Sequence, residues 1–238
     1  MSLSASIPGL KSQARKLRRA EGITLCEALD RIARAEGYPS WSLLVARAGA
    51  AKNDTLLSRF DPGDLVLVGA RPGHGKTAWA LKLLTDALRQ RRPGGFFSLL
   101  NDPPNITALF AALGEKSSIF ADTLLVDHSD EVCARYIIEK MRDLVTNKSV
   151  VVIDNLQLLD QRRRFPELQQ QVNELDAFAK RTGSVLVFIS QIHSAFDHTN
   201  KRLPALEDVR LPNALDLSIF NKLIFLHDGR SRLQVGRR

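Results

Sequence analysis

An apolar run, Leu65-Val66-Leu67-Val68, leads directly into Gly69-Ala70-Arg71-Pro72-Gly73-His74-Gly75-Lys76-Thr77, and a helix-patterned segment follows at once. A strand that turns through glycines into a helix is built to grip phosphate: small residues let backbone N–H groups point inward, and the helix start adds its positive end. The pattern departs from GxxxxGK[ST] at one point, because its first glycine is Ala70. A chain carrying this unit is committed to strands buried beneath helices.

The rest of the sequence bears out that commitment. Apolar strands are expected near 65–69, 95–99, 123–126, 149–154, 184–190 and 221–227, with amphipathic helices near 75–90, 105–113, 130–145 and 166–181. This alternation predicts an α/β fold, a mostly parallel sheet flanked by helices. Ligands then sit at the carboxyl ends of the strands. Residues 1–52 follow another pattern, with helices expected over 8–20, 24–36 and 40–49 and Thr24 with Glu27 as a capping box. Leu25, Ala28, Leu29, Ile32 and Ala33 share one helical face, and Trp41, Leu44 and Val45 can fold back on it. Two domains follow: a small all-α basic module over 1–52 and an ATP-binding domain over 53–238.

The 238 residues carry a formal charge of +8, and residues 1–52 alone hold nine Lys or Arg against four Asp or Glu. A polyanionic partner suits that balance, as does plain solubility. Lys11, Arg15, Lys16, Arg18 and Arg19 could set the module on nucleic acid or an acidic partner, an amphipathic surface being the simpler account. Cys26 and Cys133 lack metal or disulfide spacing and read as reduced. No apolar run reaches the roughly 18–20 residues of a membrane helix, and the N-terminus has no signal-peptide core, so a cytoplasmic protein is expected.

At the phosphate-gripping loop, residues Ala70 to Ala78 (Ala70, Arg71, Pro72, Gly73, His74, Gly75, Lys76, Thr77, Ala78) are the nucleotide-binding candidates, for ATP with Mg²⁺. Lys76 would reach the β- and γ-phosphates, and Thr77 would hold Mg²⁺ through its hydroxyl. Pro72 and His74 shape the loop, with His74 a solvated spacer. A magnesium site also needs a carboxylate at the end of another strand, and Val150-Val151-Val152-Ile153-Asp154 supplies Asp154.

ARPGHGKT, VVIDNLQLL and VFISQIHSAFD, with LEDVRLPNALDLSIFNKLIFLH further on, resemble the ATPase domain of DnaB-type replicative helicases, in the RecA-like superfamily of P-loop proteins. The resemblance covers residues 56–228. It implies a RecA-like fold, a cytoplasmic homo-oligomer arranged as a hexameric ring or filament, and single-stranded DNA as partner. It also implies that Gln191 senses the γ-phosphate and relays it to a mobile DNA loop over 192–205, where Lys201 and Arg202 meet phosphates. The alternative for Gln191 is a polar strand cap. Arg162, Arg163 and Arg164 fall where such proteins place their other DNA-facing loop, or form a solvated basic loop.

One position departs from the family. The glutamate that activates water would close the strand holding Phe97-Ser98-Leu99, but Leu100 stands there. Leucine neither accepts a proton nor orients water. Asp102 is the nearby substitute, one methylene shorter and followed by Pro103-Pro104. Arg230, Arg232, Arg237 and Arg238 are possible donors of the basic finger the family extends to a neighbour's nucleotide. Three functions remain: a DNA-associated ATPase or helicase-related protein, a nonhydrolysing or slow nucleotide-dependent binding module, and a KaiC-like or RadA-like regulatory ATPase. Ala70, Arg71-Pro72 and the LQL run favour the helicase branch over the last.

Overall fold

A computed structural model describes residues 4–5, 7–44, 55–99, 103–115, 117–144, 148–160, 165–211 and 213–236. The chain divides into two compact units, Met1–Ser58 and Arg59–Arg238. The domain boundary expected at 52/53 lies outside the described residues.

In the first unit, α1 (Ile7–Glu21) and α2 (Leu25–Ala35) enclose a small core in which Leu10, Ala33 and Leu44 are buried. Ile32, Tyr38 and Trp41 pack against it. Thr24 starts α2 with the expected box: its hydroxyl accepts from the Glu27 N–H while the Glu27 carboxylate accepts from the Thr24 N–H. The chain returns through Gly37, at φ 84°, and the Trp41 N–H donates to Asp30 Oδ1 at 2.8 Å. The helix expected over 40–49 is described only over 41–44, and Val45 lies outside the described residues.

The second unit is a seven-stranded sheet in the order β3-β2-β4-β5-β1-β6-β7. Its strands are β1 (Leu65–Ala70), β2 (Gly94–Ser98), β3 (Leu124–Asp127), β4 (Val150–Asp154), β5 (Val185–Gln191), β6 (Lys222–His227) and β7 (Arg230–Val235). The first six are parallel, and β7 alone runs antiparallel, against β6. Every residue of β1 and β4 is buried, which is why these strands are unbroken runs of Val, Leu and Ile rather than alternating patterns. The flanking helices are α3 (Lys76–Arg89), α4 (Pro103–Ala112), α5 (Ala134–Met141) and α6 (Leu168–Thr182). Along α6, Leu168, Val172, Leu175 and Ala179 repeat at helical spacing and join the main core with Phe97, Leu67 and Phe188.

Two features differ from expectation. The helix predicted over 130–145 is shorter, because residues 130–133 and 142–144 form turns and extended chain around α5. The strand β7 was not expected at all. Its signal is Asp228-Gly229, a two-residue loop between paired His227 and Arg230 with φ of 46° and 71°. That is the hairpin turn whose twist suits antiparallel strands.

Candidate nucleotide site

The end of β1 delivers residues 71–75 to the start of α3. Gly73 and Gly75 have φ of 82° and 83°, and a Cβ at either would meet nothing within 4 Å. The left-handed backbone therefore demands glycine there, while the space beside it stays open. Gly75 is also the N-cap of α3, its carbonyl accepting from the Trp79 N–H at 2.9 Å.

Lys76 and Thr77 open α3, and Asp154 closes β4 two strands away, with β5 between. The Thr77 hydroxyl donates to Asp154 Oδ2 at 2.9 Å. Asp154 is 3% exposed. Burial pushes its carboxyl above the usual range, opposed by the Thr77 hydrogen bond and the Lys76 charge. A buried carboxylate beside a hydroxyl is a set of hard oxygen donors, which fits Mg²⁺. Ala70, Arg71, Pro72, His74 and Ala78 surround this pair in sequence, and of them Pro72 and Ala78 are exposed.

Gln191 is the last residue of β5, in register with Ala70 of β1. The strand order thus sets it between the glycine loop and Asp154. Beyond it, the start of the segment expected to be the DNA loop is hydrogen-bonded to residues 208–210. Ile192 bridges Val209, the His193 N–H donates to the Asp208 carbonyl, and the Arg210 N–H donates to the Gln191 carbonyl. Residues Ser194–His198 form a 3-10 turn, held by Arg71. The Arg71 guanidinium donates to both oxygens of Asp197 at 2.8–3.0 Å and to the Ile192 carbonyl at 3.0 Å. That hydrogen bonding holds the Asp197 carboxyl below its ordinary value.

No family model matches the chain. The replicative DNA helicase DnaB of Mycoplasma genitalium is 26% identical over 219 residues, covering 76% of this chain and 46% of that protein. A solved DnaB-like replicative helicase, described with its interactions with primase, superposes with a TM-score of 0.58 at 19% identity, over 91% of this chain and 64% of that one. Residues 59–238 form a RecA-like P-loop domain resembling that of DnaB-type helicases. A KaiC-like protein from Pyrococcus horikoshii shares the fold at TM-score 0.52 and 17% identity, over 68% of this chain and 70% of that one. The chain spans about half the length of the curated relatives it matches, 46% of one and 43% of another.

Several expected sites of the DnaB-like domain lie outside the described residues: Leu100, Asp102, the triplet Arg162, Arg163 and Arg164, and Arg237 and Arg238. Ser98, at the end of β2, is level with Asp154, and Leu100 follows two residues on. Arg230 and Arg232 are exposed on β7. Arg202 is exposed, and Lys201, expected with it to meet phosphates, is ion-paired. Its ammonium holds Glu207 at 2.9 Å and Asp208 at 3.1 Å, which raises its own pKa and lowers that of Glu207. A DNA phosphate at Lys201 would have to displace two carboxylates.

His74 is likewise no solvated spacer. Its ring stacks on His227 with centroids 4.5 Å apart, and its Nδ1 accepts from the Asp228 N–H at 3.1 Å. The partners Asp197, His227 and Asp228 escaped sequence reasoning because each is an isolated polar residue in a loop or at a strand end. Only the fold brings them to the P-loop. Gln157 of the LQL run is another such residue, its amide donating to the Arg210 carbonyl at 2.9 Å.

Proposed function

We propose that the chain binds ATP with Mg²⁺ at the β1 P-loop and works as a DnaB-like, DNA-associated ATPase, oligomerising as a ring or filament on single-stranded DNA. The observation that carries this reading is the Thr77–Asp154 hydrogen bond at the foot of the glycine loop. It joins the two oxygen donors a magnesium nucleotide needs. Thr77 and Asp154 would hold the ion, whose bound charge neutralises phosphate oxygens. Lys76 binds the β- and γ-phosphates, and the N–H groups of residues 73–77 orient the chain of phosphates. Gln191 can donate to a phosphate oxygen while accepting elsewhere, since its amide does both. Through Arg71 the same loop grips residues 192–197, so phosphate contact and the segment after Gln191 share one anchor.

A second reading rests on Leu100. Without a carboxylate there, the chain would bind ATP and switch its association with DNA or protein while turning over slowly or not at all. ATP binding and turnover, measured with and without single-stranded DNA, separate the two. Lys76→Ala should abolish binding in both. In the binding-module reading, Leu100→Glu raises turnover, whereas brisk turnover of the parent, with no gain in Leu100→Glu, removes that reading. Replacing Arg162, Arg163 and Arg164 by Ala should cut the log–log salt slope of DNA binding by about 2, at roughly 0.7 per single-strand phosphate contact. An unchanged slope takes the triplet out of the interface.

A further inference from the structure

The crest of the P-loop and the β6–β7 turn converge on three groups with metal-ligand chemistry. His74 lies on the loop, His227 ends β6, and Asp228 opens the turn. Each offers one ligand atom within 4.8 Å of the other two. His74 Nδ1 is 3.3 Å from Asp228 Oδ1, and His227 Nε2 is 3.5 Å from Asp228 Oδ2. The rings stand nearly parallel, at 19°, and Phe196 closes the far side of His227 edge-on at 5.0 Å. Among the described residues His227 Nδ1 is buried without a hydrogen-bond partner, which leaves Nε2 as the nitrogen open to a ligand.

We propose that His74, His227 and Asp228 bind a zinc-class transition cation that bridges the P-loop to the β6–β7 turn. Zinc bonds to imidazole nitrogen and carboxylate oxygen are about 2.0–2.2 Å long, so two donors on one tetrahedral ion stand about 3.3–3.5 Å apart. The two nitrogen–oxygen separations, each to a different oxygen of Asp228, lie near that spacing, and the three donors stand within 4.8 Å of one another, so a small closure brings them onto one ion. Two imidazoles and one carboxylate select zinc, copper or nickel over magnesium, which takes oxygen. The site is thus chemically distinct from the Thr77–Asp154 pair on the other side of the loop.

Ligation exchanges the Asp228 N–H bond to His74 Nδ1 for a metal bond and turns the two nearly parallel rings out of their stack, so that both in-plane lone pairs meet the ion. The carboxylate oxygens already face one ring each, so Asp228 moves little. Three protein ligands leave a fourth position for water. Among the described residues nothing accepts from His227 Nδ1 to orient that ring, which favours exchangeable binding over a structural ion. Its consequence is local: the ion fastens the backbone at position 74, within the loop that would carry the phosphates.

The test is direct titration of the intact chain with ZnCl₂ by calorimetry, and with CoCl₂ by visible absorption, where tetrahedral Co²⁺ gives a strong band. One ion per chain is expected. His74→Ala, His227→Gln and Asp228→Asn should each weaken binding about tenfold or more. Because Cys26 and Cys133 are free thiols, a Cys26→Ser, Cys133→Ser double variant is the control and should bind as the parent does. Asp228 has a side chain 74% exposed in a turn, so Asp228→Asn folds even if a histidine variant does not. Binding that survives Asp228→Asn, disappears in the cysteine control, or is absent in the parent overturns the site.

Discussion

Asp154 shows how a binding residue can work against the stability of its own fold. Its folded pKa lies above the unfolded value, so folding favours the protonated form. The associated stability is fully present below the unfolded carboxylate pKa and is lost as pH rises through the folded one. Wherever the carboxyl is ionised in the fold, the buried charge therefore costs stability. Asp154→Asn keeps an acceptor for the Thr77 hydroxyl and removes the charge. The variant should melt about 2–4 °C higher without nucleotide, the shift that about 1 kcal/mol produces in a domain of this size, while losing Mg²⁺-dependent ATP binding. Thermal melts with and without Mg²⁺-ATP measure both. A lower apo melting temperature would mean that the carboxylate is net stabilising. Asp197 has the opposite sign. Its pKa is lowered by Arg71, so that pair is intact above the ordinary carboxylate range and is lost as pH falls through the folded value. Asp197→Asn should mimic the acid state at neutral pH and speed tryptic cleavage at Lys201 or Arg202. Arg71→Lys should do the same, since an ammonium cannot reproduce the two-pronged grip.

At the level of elements, the start of α2 and the central strands were legible because their causes are local, whereas α5 starts at Ala134, four residues past the expected 130. Thr24 and Glu27 specify the start of α2 by hydrogen bonds within four residues. Thr24→Ala should lower the stability of the first unit by about 1 kcal/mol and leave nucleotide binding intact, as read by far-ultraviolet melting and ATP titration. No loss of stability would show that the helix is held by its core contacts alone. The runs Leu65–Val68 and Val150–Ile153 declare buried parallel strands by composition, and the P-loop and Asp154 follow at their ends. The pairing of Arg71 with Asp197, across 126 residues, has no such local cause. Nor does the fate of Lys201, which depends on where Glu207 and Asp208 return. β7 is the exception, since Asp228-Gly229 after the apolar run Leu223–Leu226 is a hairpin signal, though a faint one because the returning segment RSRLQV is mostly polar.

For the whole molecule, the two units differ in kind. One is a small helical module, and the other a large, mostly parallel sheet with the glycine loop, Asp154 and Gln191 at the carboxyl ends of β1, β4 and β5. Among the described residues no helix is long and apolar enough to cross a membrane. If neighbouring copies complete one another's sites, as the DnaB resemblance implies, light scattering should show mass rising by whole multiples of 26.5 kDa when Mg²⁺-ATP is added. A mass that stays at one chain under all nucleotide conditions would set the ring or filament aside and leave a monomeric binding module. The grip of Arg71 on Asp197 carries a consequence for ancestry as well as for motion. A lineage that loses the guanidinium at 71 has no further use for an acid at 197, and a lineage that loses the acid strands a cation beside its phosphate loop. The two positions should therefore drift as a pair among descendants, though 126 residues part them in the chain.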